Sequence, residues 1–253
     1  MQADAARGLL IVNADDWGRD VETTNRILDC VAPGGVSAVS AMVFMEDSER
    51  AAALAREHGI DAGLHLNLTT SFSAKALPGG LLERQRVVSR YLRSHRLAPY
   101  LFNPRLTRAF TYLVSAQLDE FRRLYGAEPA RIDGHHHMHL CANVLIGRLL
   151  PARTLVRRNF CFEPGEKSGL NRAYRRSVDA VLSRRHRLTD LFFSLQPLEP
   201  RTRIDRICSL ARTAVVELET HPAQLSEYQF LRSGDILRSA VRVGPSSALR
   251  AES

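Results

Sequence analysis

The 253-residue sequence predicts a single-domain α/β protein, a (β/α) barrel with seven strands or an incomplete TIM-like barrel. Short apolar runs alternate with segments of helical spacing, which is typical of parallel strands joined by helices. No stretch of different composition marks a second domain. Polar, chemically versatile residues recur where the apolar runs end, and the carboxyl ends of barrel strands form the active-site face.

Seven strands are predicted because their apolar residues run continuously or alternate with polar ones. The first run, residues 9–16, is apolar until its last residues, as expected of a strand buried on both faces. In the third, Leu64, Leu66 and Leu68 alternate with polar residues and glycine. The strands are predicted at residues 9–16, 36–45, 61–69, 131–140, 154–161, 189–195 and 213–222, with a weak eighth near the C-terminus.

Helices are predicted between the strands where apolar residues recur every three or four positions. Glycine and proline end several of them, as at Pro33-Gly34-Gly35, Gly59 and Gly126. The helices are predicted at residues 20–31, 48–58, 106–125, 143–150, 171–185, 203–212 and 227–241.

Two segments depart from this alternation. Residues 70–104 are rich in proline and aromatic residues, and a long insertion after a strand forms either a lid over a site or a partly helical excursion on the outside. Residues 244–253 are predicted to be a loose tail. No G-x-G-x-x-G motif follows the first strand, which disfavours a dinucleotide site.

The formal net charge of +8 comes almost entirely from arginine, since Lys75 and Lys167 are the only lysines. The arginines are spread along the chain, whereas a nucleic-acid binder concentrates them in one stripe. They form a solvated basic surface, or they attract an anionic substrate or membrane surface. The four cysteines form no C-x-x-C pair, and no signal peptide or transmembrane segment is recognisable, so we expect a cytoplasmic protein.

The densest chemical cluster is the segment 131–140, which contains four histidines in five residues. If this segment is a strand to its end, Asp133, His135, His137 and His139 share one face. A row of imidazoles indicates metal binding or acid–base chemistry, because imidazole is a common metal ligand and titrates near neutral pH.

Three other strand ends carry matching groups. Asp15 and Asp16 end the first apolar run, and His65 interrupts an alternating strand beside Asn67. Two histidines and one aspartate, as in His65, His135 and Asp16, leave coordination positions open for water and substrate, which is typical of a catalytic metal site. Trp17 is interpreted as either a packing residue or a platform for a sugar ring.

His221-Pro222 ends the seventh strand, where the imidazole is suited to proton transfer. Strict alternation places Glu217 and Glu219 on the same face as His221, and one of them is expected to orient a histidine. Glu219 is interpreted as an exposed surface carboxylate. Arg157 or Arg158, at the end of the fifth strand, is a candidate for holding a substrate hydroxyl or phosphate.

These four clusters resemble the motifs of the YdjC-like carbohydrate deacetylases, a family that includes chitooligosaccharide deacetylase and the hopanoid-biosynthesis deacetylases. The motifs are Val12-Asn13-Ala14-Asp15-Asp16-Trp17-Gly18, Gly63-Leu64-His65-Leu66-Asn67-Leu68-Thr69, Asp133-Gly134-His135-His136-His137-Met138-His139 and Val216-Glu217-Leu218-Glu219-Thr220-His221-Pro222. The family often has phenylalanine where Trp17 stands, and its last barrel strand is poorly matched by residues 240–253.

The resemblance implies a barrel related to the polysaccharide deacetylases and one divalent metal ion, Mg²⁺ or Zn²⁺. It implies removal of an N-acetyl group from an acetamido sugar. Matched residue by residue, Asp16, His65 and His135 are metal ligands, Asp15 is a general base and His221 is a proton donor. Trp17, Asn67, His137, His139, Arg157 and Glu217 are expected around the metal or the substrate.

The expected partner is an N-acetylated sugar or glycoconjugate, which is lipid-linked or anionic. A homodimer is a further expectation, and no nucleic acid is expected to bind. Two other functions remain open at this point. One is a non-catalytic barrel that binds a glycan. The other is a metal-dependent phosphoesterase, although a dinuclear site needs more carboxylate ligands than the strand ends supply.

Overall fold

The structure, a computed structural model, describes residues 8–162, 166–236 and 241–250. Its seven strands form one sheet in the order β5-β4-β3-β2-β1-β7-β6. The strands are β1 (Leu9–Trp17), β2 (Ala38–Ala41), β3 (Ala62–Leu66), β4 (Arg131–Gly134), β5 (Leu155–Val156), β6 (Leu191–Ser194) and β7 (Val215–Thr220). The predicted seven-stranded α/β fold is therefore confirmed.

Eight α-helices alternate with these strands. They are α1 (Val21–Val31), α2 (Ser48–Glu57), α3 (Leu81–Leu92), α4 (Thr107–Tyr125), α5 (Ala142–Ile146), α6 (Gly169–Ser183), α7 (Arg201–Leu210) and α8 (Leu225–Arg232) within the described residues. Gly126 ends α4 at φ 66°, a left-handed conformation that glycine adopts without strain. In the part of the chain that is described, no helix combines the length and apolar character needed to cross a membrane.

The chain divides into two compact units, and the first contains the described residues of 1–15, 25–39 and 155–253. Here β1 pairs in parallel with β7, and β7 pairs with β6. Leu10, Ile11 and Val12 of β1 are completely buried, which agrees with the apolar run that predicted this strand.

The C-terminal segment of this unit differs from its prediction. Val243 makes a single parallel bridge to Leu10, so the weak eighth strand is reduced to one pair. Residues Ser246–Arg250 form a 3₁₀ turn in which Ala248 and Leu249 pack against the buried cluster of Leu9, Ile11 and Ala38. The tail is therefore packed where it is described, because its apolar residues cover the start of β1. The predicted helix at 227–241 ends at Arg232, and residues 237–240 lie outside the described residues.

The second unit contains residues 16–24 and 40–154. Strands β3 and β4 pair in parallel so that His65 lies beside Asp133 and Leu66 beside Gly134. The insertion at 70–104 contains α3 and a 3₁₀ turn at Ala98–Tyr100, and α3 packs against α4. It is partly helical, as one of its two predictions stated, and its use as a lid stays a prediction.

Candidate metal centre and acidic cluster

Strand β1 delivers two adjacent carboxylates, Asp15 and Asp16, and both are buried. Asp16 has a φ of 70°, which is uncommon for a residue with a side chain. Such backbone strain persists where the surrounding structure requires it, and it is concentrated at functional sites. Each carboxylate takes part in its own cluster, Asp16 in the second unit and Asp15 in the first.

In the second unit, Asp16, His65 and His135 converge, and their ligand atoms all lie within 4.8 Å of one another. Asp16 Oδ1 is 3.0 Å from His135 Nδ1 and 3.5 Å from His65 Nε2. Despite this proximity, Oδ1 is buried and no donor makes a hydrogen bond to it. Since an unsatisfied buried carboxylate oxygen is costly, this arrangement favours a cation between the three side chains.

The orientation of His65 is fixed from behind by Asp133. His65 Nδ1 lies 2.7 Å from Asp133 Oδ1, and an ionised carboxylate only accepts, so Nδ1 carries the proton. The lone pair of Nε2 is then directed toward Asp16. Asp133 Oδ2 in turn accepts hydrogen bonds from Ser40 Oγ at 2.5 Å and from Arg131 Nε at 3.1 Å. A carboxylate behind a histidine is the usual support of a metal-binding imidazole.

Asp16 remains ionised throughout the physiological range. Burial alone would raise its pKa, but the adjacent His135 ring and the charges of His65, His135 and Arg19 outweigh burial and lower the pKa to about 2. Arg19 Nη1 lies 2.6 Å from Asp16 Oδ2, which leaves Oδ1 facing the histidines.

Two imidazole nitrogens and one carboxylate oxygen suit a divalent transition-type metal such as Zn²⁺. Mg²⁺ is a harder ion that prefers oxygen ligands in an octahedral arrangement. The three side chains therefore fit a resident divalent cation, and their donor chemistry favours Zn²⁺ over Mg²⁺.

In the first unit, Asp15 belongs to an acidic cluster around Arg157, whose side chain is completely buried. Arg157 Nη2 and Nη1 donate to the two oxygens of Asp15, each at 2.8 Å. Arg157 also donates from Nε to Glu217 at 2.8 Å and from Nη1 to Glu219 at 3.1 Å. Asp15, Glu219 and His221 could hold a metal by spacing alone, but the guanidinium already supplies the positive charge there.

Arg157 therefore positions Asp15 and does not reach out to a substrate, contrary to the sequence-based expectation. The interpretation of Glu219 as a surface carboxylate is also wrong, because only 4% of it is exposed. Burial and the neighbouring Asp15 charge raise the pKa of Glu219 well above its ordinary value, against the opposing charge of Arg157.

His221 lies at the edge of the same cluster, with Nε2 3.9 Å from Asp15 Oδ2. Its backbone amide donates to Glu227 Oε2 at 2.6 Å, which fixes the start of the loop that follows β7. Glu227 is buried, and burial raises the pKa of its carboxyl group above the ordinary value. His221 therefore has a fixed backbone while its imidazole remains partly accessible.

The histidine segment is not a strand beyond Gly134. Residues His135–Leu140 form a 3₁₀ segment in which His136 and His137 have φ values of 55° and 57°. The predicted common face of His135, His137 and His139 is therefore wrong. His139 turns back and is completely buried, and its ring leaves no space for a side chain at Gly134, where a Cβ would lie 2.9 Å from His139 Nδ1.

His136 is exposed, and its Nδ1 lies 3.0 Å from Thr69 Oγ1. Its ring centroid is 4.0 Å from that of His135. Partial burial lowers the pKa of His136, and the positive charges of His135, His65 and Arg93 lower it further, against the charge of Asp16. His136 therefore lies on the solvent side of the metal-binding group.

Two other residues have structural roles: Trp17 follows the packing alternative of its prediction, and Asn67 shapes the backbone near the site. Trp17 is completely buried and donates from Nε1 to the carbonyl of Ala51, so its ring offers no platform for a sugar. Asn67 is also completely buried. Its Oδ1 accepts from the amides of Thr69 and Thr70, and its Nδ2 donates to the carbonyl of Thr70, which shapes the turn after β3.

Sequence reasoning assigned no role to Ser40, Arg131 or Asp133 in supporting His65. Asp133 carried a usable signal, because parallel strands place it beside His65 in the register. Ser40 and Arg131 lie in ordinary apolar-flanked strand positions, and nothing in a single sequence distinguishes them from packing residues.

A family model described as YdjC-like protein matches residues 9–242 of this chain. Chitooligosaccharide deacetylase of Enterobacter sp. (strain 638) is 32% identical over 177 residues, which are 70% of this chain and 64% of that protein. Carbohydrate deacetylase of Mus musculus is 32% identical over 141 residues, which are 53% of this chain and 44% of that protein. The matched part thus spans less than two thirds of either relative.

Among solved structures, a protein from Enterococcus faecalis V583, described as a candidate cellobiose-phosphate cleavage protein, superposes with a TM-score of 0.67. The match covers 96% of this chain and 99% of that one at 18% identity. At this identity the likeness concerns the fold alone.

Proposed function

Because this chain belongs to the YdjC-like protein family, we propose that it is a metal-dependent hydrolase that removes the N-acetyl group from an acetamido sugar or glycoconjugate and releases acetate. The observation that carries the proposal is the Asp16–His65–His135 group, with its buried carboxylate oxygen that lacks a donor. The printed names of the relatives, chitooligosaccharide deacetylase and carbohydrate deacetylase, support the substrate class.

The roles of the side chains follow from amide hydrolysis. A divalent metal held by Asp16, His65 and His135 would act as a Lewis acid that polarises the acetamide carbonyl and acidifies water. Asp15 accepts the proton of the attacking water, and Arg157 holds both oxygens of its carboxylate in place. His221 donates a proton to the departing sugar nitrogen, which leaves as an amine while the carbon–nitrogen bond breaks.

The two other functions differ in what they require. A phosphoesterase with two metal ions needs further carboxylate ligands, and the carboxylates of the second acidic cluster are instead paired with Arg157. A non-catalytic glycan-binding protein has no need of a buried carboxylate next to two oriented imidazoles. Both features favour the deacetylase.

The test is acetate release from neutral N-acetylglucosamine oligosaccharides, nucleotide sugars and lipid-linked glycosides, with phosphate release measured in parallel. We expect acetate from at least one substrate, loss of that activity with a chelator, and recovery with added Zn²⁺. Absence of acetate from every substrate would refute the proposal, and phosphate release alone would favour the phosphoesterase.

A further inference from the structure

One face of helix α3 carries three arginines, Arg86, Arg90 and Arg93, and all three are exposed. Their spacing of four and three residues places them on the same side of the helix. Arg93 is the residue that caps the C-terminal end of α3. The three guanidinium groups therefore form one positive row at the surface of the second unit.

This row lines a cavity of about 460 Å³ together with hydroxyl groups. Thr69, Ser71, Ser89 and Ser94 contribute those hydroxyls, and no carboxylate lies among the lining residues. The walls thus offer hydrogen-bond donors and positive charge. A neutral, apolar ligand would find little to bind there.

The three arginines have no carboxylate partner among the residues that the structure describes, in contrast with arginines on two other helices. Arg50 pairs with Asp47 at 2.7 Å, and Arg122 pairs with Glu128 at 2.7 Å. Like charges three and four residues apart on a helix repel one another. An anion in the cavity would relieve that repulsion, and the planar guanidinium matches the oxygens of phosphate and carboxylate groups.

The cavity is anchored to the loop that follows β3. Gln85 Nε2 donates to the carbonyl of Thr70 at 2.5 Å, and its Oε1 accepts from the amide of Phe72 at 3.0 Å. Ser89 Oγ donates to the carbonyl of Thr69 at 2.8 Å. The arginine row is therefore carried on a helix that is held in place by hydrogen bonds.

The same loop connects the cavity to the metal-binding group. Thr69, which lines the cavity, contacts His136 through its hydroxyl, and the His136 ring lies 4.0 Å from that of His135. All of these residues belong to the second unit. An extended ligand whose reacting group is at His135 would have its next part at this cavity.

We propose that the cavity formed by Arg86, Arg90 and Arg93 binds an oxyanion, a phosphate or carboxylate group carried by the N-acetylated sugar. The substrate assignment depends on the proposed deacetylase function, whereas the anion site does not. The insertion at 70–104 would then select anionic substrates over neutral ones.

The first experiment is a calorimetric titration of the full chain with inorganic phosphate in the presence of a chelator. We expect saturable binding that weakens with rising salt, about fivefold weaker binding for Arg90→Gln, and none for Arg86→Gln/Arg90→Gln/Arg93→Gln. Arg96→Gln is the matched control, because it removes one exposed charge three residues beyond Arg93, from a residue that does not line the cavity, and should bind phosphate as the unmodified protein does. Equal binding by the triple variant, with unchanged thermal denaturation, would overturn the anion site.

The second experiment compares acetate release from neutral, phosphorylated and carboxylated forms of one N-acetylhexosamine. We expect the unmodified protein to prefer one anionic form. The triple variant should have a higher KM for that form and an unchanged KM for the neutral form. Equal kcat/KM for all three forms in the unmodified protein would overturn the substrate assignment while the deacetylase function stood. If phosphate binding depends on the arginines but no sugar yields acetate, the anion site stands and the proposed deacetylase function is refuted.

Discussion

Replacement of Asp133 by asparagine tests whether His65 is oriented as a metal ligand. Asp133 is completely buried and accepts a hydrogen bond from His65 Nδ1 at 2.7 Å. Asparagine can keep that bond only if its amide oxygen faces His65 and its amide nitrogen faces Arg131 Nε. Both of the latter two groups are donors, so no hydrogen bond forms between them. In the opposite orientation the amide faces His65, so the imidazole moves its proton to Nε2, the nitrogen directed toward Asp16.

Both orientations carry a cost. Loss of the carboxylate behind a metal-binding histidine lowers metal affinity by about 10- to 100-fold. Removal of one partner from a buried ion pair, here with Arg131, destabilises a fold by about 3 kcal/mol. We therefore expect Asp133→Asn to bind Zn²⁺ about 10- to 100-fold more weakly, and to lose about 3 kcal/mol of unfolding free energy in the presence of a chelator.

The assays are competition with a chromogenic zinc chelator and urea denaturation. Asp119→Asn is the matched control, because Asp119 pairs with Arg122 while 73% of its side chain is exposed. It should change the unfolding free energy by less than about 0.5 kcal/mol and leave metal affinity unaltered. Zinc affinity within twofold of the unmodified protein in Asp133→Asn would refute the reasoning.

Three further predictions concern the two clusters. His135→Ala should abolish zinc retention while His136→Ala preserves it, as measured by metal analysis after dialysis; equal metal content in both variants would remove His135 as a ligand. Arg157→Lys should reduce acetate release at unchanged metal content, because one ammonium group cannot hold both oxygens of Asp15, whereas Arg158→Lys, at the neighbouring pair with Asp179, should retain activity. Because the pKa of Glu219 is raised, its carboxyl group keeps a proton in the folded state at pH values where the unfolded state loses it. The free energy of unfolding should therefore fall as the pH rises above about 4.3, by at most about 1.4 kcal/mol per pH unit. Glu219→Gln should remove that slope in urea denaturation from pH 5 to 8, and parallel pH profiles for the two proteins would contradict it.

Two sequence patterns predicted strands that the structure has. One is the continuous apolar run Leu9–Val12 of β1, and the other is the alternation of leucines with polar residues in β3. The short strands were overestimated. Residues 154–161 were predicted as a strand, whereas β5 has only two residues, because a periodic pattern does not reveal where hydrogen bonding to a neighbouring strand ends.

Local backbone reversals limited the prediction of the candidate site. Strict alternation placed Glu217, Glu219 and His221 on one face, and Glu217 and Glu219 do meet at Arg157. The same rule failed after Gly134, where left-handed conformations at His136 and His137 end the alternation. Nothing in the sequence marks which histidines adopt such a conformation. The different directions of the four imidazoles could therefore not be predicted from the sequence.

Asp15 and Asp16 show why adjacent carboxylates can be suited to different tasks. A regular strand would direct their side chains to opposite faces, and the positive φ of Asp16 adds a further change of direction. Asp15 is surrounded by the guanidinium of Arg157, which satisfies both of its oxygens. Asp16 faces two imidazoles and keeps one buried oxygen without a donor. The first environment favours a carboxylate held ready to accept a proton, and the second favours one that completes the coordination of a cation.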